Sequence, residues 1–182
     1  MESVMTHRWH RVPVLKDNYI WLVENTQSKT AIVIDPAEAP PVIALAKKLG
    51  LTLTHILLTH HHWDHIGGVK QLNNLYDVTV VGSRKDSSRL PHLTIAVEEG
   101  DSIEIDGLKF DILEADGHTI GHILYLEKNL NWAFVGDSLF AMGCGRMFEG
   151  NPEQFSTSLA KIKKFKPETL IFCAHEYTLS NA

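Results

Sequence analysis

Thiols are scarce in this chain: of 182 residues only Cys144 and Cys173 are cysteine, which excludes a disulfide framework and points to a reducing, cytoplasmic setting. No apolar run approaches the roughly 18–20 residues that a membrane helix requires, so no membrane partner is expected. The opening Met1-Glu2-Ser3-Val4-Met5 lacks the basic and apolar regions of a signal peptide. Positive charge is in deficit as well. Lys and Arg number 17 against 22 Asp and Glu, and the net charge of −5 argues against a general nucleic-acid binder, whose affinity rests on many cation–phosphate contacts. Internal repeats, low-complexity tracts and linkers are missing too. A hydrophobic content of 44% over this length fits one domain, 1–182, burying roughly 70% of its unfolded surface.

Histidine, by contrast, is abundant, with 11 residues. Four of them fall with one aspartate in Thr59-His60-His61-His62-Trp63-Asp64-His65-Ile66-Gly67-Gly68. The apolar run 53–58 before this stretch reads as a buried strand, and Gly67-Gly68 frees the backbone to turn into a helix. The cluster therefore sits on a loop leaving the carboxyl end of a strand, where functional side chains concentrate. In a turning or extended backbone His60 and His62 point the same way and reach one ion. Asp64 and His65 lie about one turn further on, within reach of a second ion. Imidazole suits zinc, copper, iron and nickel, and a carboxylate adds a hard oxygen ligand. An affinity tag would lie at a terminus, not between a strand and a helix.

Elsewhere, residues 12–14 and 19–24 read as strands around the turn Lys16-Asp17-Asn18, and 30–34 reads as a strand covered on both faces, stopped by Asp35-Pro36. Pro40-Pro41 opens a helix that Gly50 closes. A helix over about 68–75 and strands at 78–81 and 94–97 follow, with a polar loop over 84–93 between those strands. Asp106-Gly107 joins strands 102–105 and 108–113 as a type I′ hairpin. Strands at 123–126, 132–135 and 170–173 complete the set, with a helix from Asn151-Pro152-Glu153-Gln154 between the last two. Three more ligand-type residues each follow a strand: His118, Asp137 and His175. With the first loop they make seven ligands, enough for two ions at three each with one carboxylate shared. His55, inside a strand, is expected to be a packed core residue; His7, His10, His61, His92 and His122 receive no role.

Thr59–Gly68 resembles the Thr-His-x-His-x-Asp-His motif of the metallo-β-lactamase superfamily. Within it, the chain resembles the glyoxalase II (hydroxyacylglutathione hydrolase) family through Asp17-Asn18-Tyr19, Gly117-His118-Thr119, Gly136-Asp137, the stretch from Gly143 to Gly150, and His175-Glu176-Tyr177-Thr178. The resemblance implies an α+β fold, a four-layer αββα sandwich. It assigns His60, His62 and His118 to one divalent ion and Asp64, His65 and His175 to another, with Asp137 bridging. Zinc is the expected metal, with iron or manganese as substitutes. The implied reaction, a step of methylglyoxal detoxification, is hydrolysis of S-lactoylglutathione to glutathione and lactate by a metal-activated hydroxide, oriented by Asp64. Arg146, Phe148 and Tyr177 stand at substrate-contacting positions, Phe148 where the family often carries tyrosine.

The family's sequence normally continues past this point into a helical segment that adds basic residues for glutathione. Its absence here leads to an expectation of weakened affinity for glutathione thioesters and of a monomer or weak self-association. Rival expectations are another reaction on the same fold, such as persulfide oxidation at a single iron, and a metal-binding remnant with weak activity.

Overall fold

Apolar runs bounded by turn residues alternate with amphipathic segments, and in the computed structural model, which describes residues 6–182, they form two sheets with helices outside. The first half supplies β1 (His7–Val14), β2 (Asn18–Asn25), β3 (Thr30–Ile34), α1 (Ala39–Leu49), β4 (Thr52–Leu57), α2 (Trp63–Ile66), α3 (Val69–Tyr76), β5 (Thr79–Ser83) and β6 (Ile95–Val97). These six strands lie in sequence order, antiparallel from β1 to β3 and parallel from β3 to β6. The second half supplies β7 (Ser102–Ile105), β8 (Leu108–Glu114), β9 (Ile123–Glu127), β10 (Trp132–Gly136), β11 (Leu139–Phe140), β12 (Gly143–Cys144), α4 (Pro152–Ile162), β13 (Leu170–Cys173) and α5 (Thr178–Asn181). Its sheet runs β13-β10-β9-β8-β7, with β11 and β12 a separate ribbon.

Alternation along single strands explains the layering. In β3, Ala31 and Val33 pack outward with Val42 and Ala46 of α1 and Leu72 of α3, while Ile32 and Ile34 face the other sheet. In β10, Trp132 and Phe134 face inward, and Ala133 and Val135 pack outward with Ile162 of α4. Strands buried on both faces read as continuous apolar runs. The architecture is the expected α+β sandwich, two sheets face to face with helices on each outer side.

Local chemistry sets several boundaries. Pro40 and Pro41 occupy the first turn of α1, where backbone N–H groups have no intrahelical partner, and Gly50 ends it at φ 68°. Asn151 and Gln154 form a reciprocal capping box on α4. Asp106 and Gly107 both have positive φ, as a type I′ turn requires. Other details differ from expectation. β1 begins at His7, five residues before the apolar Val12, because pairing along the whole of β2 carries a polar segment into the sheet. The turn 63–66 is helical, as are residues 178–181. His55 is only half-buried: β4 skips Thr54 in its pairing with β3, so His55 pairs with Ile32 and lies at the margin of the inter-sheet layer, its Nδ1 3.0 Å from Thr54 Oγ1.

Phe134, stacked on Phe172 at 4.6 Å between the sheets, is the test of that layer. Phe134→Ala is expected to lower unfolding stability by about 3–5 kcal/mol in urea titration. A loss under about 1 kcal/mol would contradict a tightly packed inter-sheet core.

Candidate metal centre

Backbone hydrogen bonds gather several strand ends at one edge of the sandwich. Tyr19 N–H donates to Ala174 O at 2.7 Å and Glu176 N–H to Asp17 O at 2.8 Å, tying the β1–β2 turn to the end of β13. Ala174 N–H donates to Gly136 O at 3.1 Å, and Ile123 N–H to Thr59 O at 2.9 Å. Gly136 has φ 50°, and a Cβ there would lie 2.4 Å from Thr59 Oγ1. Only glycine lets the end of β10 turn so close to the histidine loop.

All seven ligand-type residues singled out in the sequence meet at this edge. His60, His62 and His118 form one group and Asp64, His65 and His175 another, the nitrogen and oxygen atoms of each lying within 4.8 Å of one another. Asp137 stands between them. Its Oδ2 is 3.3 Å from His118 Nε2 and 3.4 Å from His175 Nε2, and its Oδ1 is 3.4 Å from His65 Nε2. His60 Nε2, His65 Nε2 and Asp137 Oδ1 are buried with no hydrogen-bond partner among the described residues. Atoms of this kind cost free energy unless something satisfies them, and a cation does.

The outer nitrogens are secured. Thr59 Oγ1 donates to Asp35 Oδ2 at 2.6 Å, so toward His60 Nδ1, 3.0 Å away, it accepts. His65 Nδ1 donates to Asp35 Oδ2 at 3.1 Å, His118 Nδ1 to Arg146 O at 2.7 Å, and His175 Nδ1 to Asp17 Oδ1 at 2.8 Å. In all four rings the proton is held outside and Nε2 is aimed inward, the arrangement that outer partners impose on metal-binding imidazoles. A third group, Asp35 with His60 and His65, also converges. Asp35 is not available as a ligand, because its oxygens already accept from Thr59 N–H at 2.8 Å, the Thr59 hydroxyl and His65.

Charge is divided across the site. Burial and neighbouring imidazoles push His60 well below its ordinary pKa and His62 down to about 4, so both are neutral ligands at pH 7. Burial likewise lowers His118, against the pull of Asp137. Burial also opposes protonation of His65, but Asp137, Asp35 and Asp64 outweigh it and raise this ring to about 9. Burial disfavours the Asp137 carboxylate, yet His65 and His175 hold it far below the usual range. A cation entering the second group must therefore displace protons, which makes uptake pH-dependent.

Several supporting residues carry no signal in a local pattern. Asp35 reads as a strand stop and Asp17 as a turn residue. Asn18 Nδ2 donates to Asp64 Oδ2 at 3.0 Å. His122 stacks on His60 at 4.9 Å, and its Nε2 accepts from Asp137 N–H at 3.2 Å. For Asp35 a clue existed: an acid directly after a fully apolar strand ends up buried and needs partners. The two groups open onto a cavity of about 670 Å³, lined among others by Trp63, Asp64, Arg146, Phe148 and Tyr177. The Arg146 guanidinium lies 5.7 Å from the Phe148 ring centroid, and Tyr177 stacks on His175 at 4.9 Å. Both cysteines are free.

Fold and site together define a class. Residues 15–175 match the metallo-beta-lactamase superfamily, and the chain belongs to it. Within the superfamily it falls in the hydroxyacylglutathione hydrolase, or glyoxalase II, family: the hydroxyacylglutathione hydrolase of Bdellovibrio bacteriovorus is 44% identical over 93% of this chain and 68% of its own length. The chain spans about two-thirds of the length of the relatives it matches. Among solved structures, ETHE1 from Myxococcus xanthus superposes with a TM-score of 0.83 at 31% identity, over 93% of this chain and 76% of that one. TTHA1623, solved in a di-iron-bound form, superposes at 0.76 with 27% identity, over 92% and 91%. Among the described residues no helix is long and apolar enough to cross a membrane.

Asp35 is 3% exposed and faces His65 at 1%. Removing one partner of a buried pair leaves the other uncompensated, so Asp35→Ala is expected to destabilise the chelator-treated protein by about 3 kcal/mol. Denaturant unfolding checks this, and a change within about 0.5 kcal/mol would reduce Asp35 to a surface-like residue.

Proposed function

We propose that this chain forms a two-metal thioester hydrolase acting on S-(2-hydroxyacyl)glutathione, with S-lactoylglutathione split into glutathione and lactate. One observation carries the proposal: two triads of ligand-type residues share Asp137, with the inner atoms of His60, His65 and Asp137 making no hydrogen bond and the outer nitrogens of every ring but His62 held. The residues fit a pair of divalent cations, zinc first, with iron or manganese as substitutes. His60, His62 and His118 would hold one, Asp64, His65 and His175 the other, and Asp137 would bridge them. Such cations supply a water of lowered pKa and polarise a carbonyl oxygen.

The chain's own groups do the rest. Asn18 fixes one Asp64 oxygen, leaving the other to accept a hydrogen bond from the attacking water and to orient it. Arg146, exposed at the cavity rim, suits a glutathione carboxylate through two parallel hydrogen bonds. Phe148 and Tyr177 give the acyl and thiol portions flat walls to lie against. A thioester suits this equipment, because the departing thiol has a pKa of about 8.5 and leaves as thiolate without an obligatory proton donor. Oxygen chemistry at a single iron is the rival reading, and the presence of two complete triads favours the two-metal hydrolase.

Metal-loaded protein is expected to hydrolyse S-lactoylglutathione, to stop on chelation and to recover with zinc. His60→Ala should lose metal and more than about a hundredfold of the activity while remaining folded by circular dichroism. Turnover indifferent to chelators, or oxygen uptake with one iron per chain and no thioester hydrolysis, would overturn the proposal.

A further inference from the structure

His61 lies between two ligand-type residues and belongs to neither triad. Its Nδ1 donates to Asp86 Oδ2 at 3.0 Å. Asp86 follows β5, is fully buried, and through Oδ1 also accepts from Arg89 Nε. Arg89 spends its remaining donors on two other loops: Nη1 donates to Glu149 Oε1 at 2.6 Å, and Nη2 to Ile120 O at 2.7 Å. Glu149 Oε2 in turn accepts from Ile120 N–H at 2.7 Å. None of Asp86, Arg89 and Glu149 lines the cavity.

The geometry points to a positioning clamp. Asp86, Arg89 and Glu149 lock the segment 145–150, which presents Arg146 and Phe148, onto the loops that carry His60, His62 and His118. Backbone contacts complete the same junction. Phe148 N–H donates to His118 O at 3.1 Å and Gly150 N–H to Gly117 O at 3.3 Å, and the Arg146 carbonyl holds His118 Nδ1. One guanidinium, with its rigid planar fork, therefore fixes the spacing between the ligand side of the site and its substrate side. The ion pairs are half-exposed at Arg89 and Glu149, with side chains 36% and 31% accessible, but they anchor on a carboxylate that is 0% accessible. This anchoring separates the cluster from an ordinary surface bridge.

The inference rests on the thioester-hydrolase proposal for the roles of Arg146 and Phe148, and its test separates the two. In Arg89→Met the apolar stem is kept and the fork removed. KM for S-lactoylglutathione is expected to rise about tenfold, kcat to fall by less than about threefold, and metal content to stay unchanged. Arg89→Lys, a point charge without the fork, should not rescue KM. Independently of turnover, amide exchange at Phe148 and Gly150 should accelerate about tenfold. Adding Glu149→Gln to Arg89→Met should add little, because the two act as a unit. If Arg89→Met fails to fold, Glu149→Gln alone is read instead, with the same direction on KM and exchange. A lower melting temperature with unchanged KM and unchanged exchange would overturn the clamp, leaving only a structural ion pair. If the parent protein hydrolyses no thioester, the functional proposal fails while amide exchange still decides the clamp.

Discussion

Three buried atoms that make no hydrogen bond among the described residues govern this molecule: His60 Nε2, His65 Nε2 and Asp137 Oδ1. Each such atom costs about 1–3 kcal/mol if it stays unsatisfied. The surrounding fold is arranged so that they cannot turn away. Asp35, Asp17, Thr59 and the Arg146 carbonyl hold the far sides of the rings, and Gly136 brings the end of β10 against the histidine loop. The three layered cores supply the stability that tolerates this cost, since strands such as β3 and β10 bury both faces. Site and sandwich are thus one design, with apolar burial holding a polar constellation that a cation completes.

Much of this is legible in the sequence. Thr59–Gly68 announces its chemistry because ligand spacing is local, and β3 and β13 have the expected bounds because turn residues punctuate continuous apolar runs. The capping box of α4 and the Asp106-Gly107 hairpin were equally local signals. What could not be read depends on long-range register. His55 lost its place in the core to a skipped residue in β4, and the polar first half of β1 is a strand only because β2 pairs with it. Asp35 and Asp17 looked like turn residues, since their partners His65 and His175 lie 30 and 158 positions away. Nothing links residues 61, 86, 89, 120 and 149 in the sequence, yet they share one network in space.

Membership of a superfamily settles the fold and leaves the reaction to the site, because one scaffold hosts many chemistries. Symmetry of supply favours hydrolysis: each triad is complete, each ring has a held outer nitrogen except His62, and one carboxylate stands between both groups. At this edge imidazoles surround Asp64 and Asp137, and Arg146 marks the rim. Under the proposed function, an anionic glutathione thioester would meet a site made more cationic by its metals.

The most direct test of the central claim is anomalous diffraction from crystals of the protein grown with zinc and measured at the zinc absorption edge. The account predicts two peaks per chain, one among His60, His62 and His118 and one among Asp64, His65 and His175, with Asp137 touching both. A single peak, or two peaks that leave His60 Nε2 or His65 Nε2 without a ligand, would contradict it.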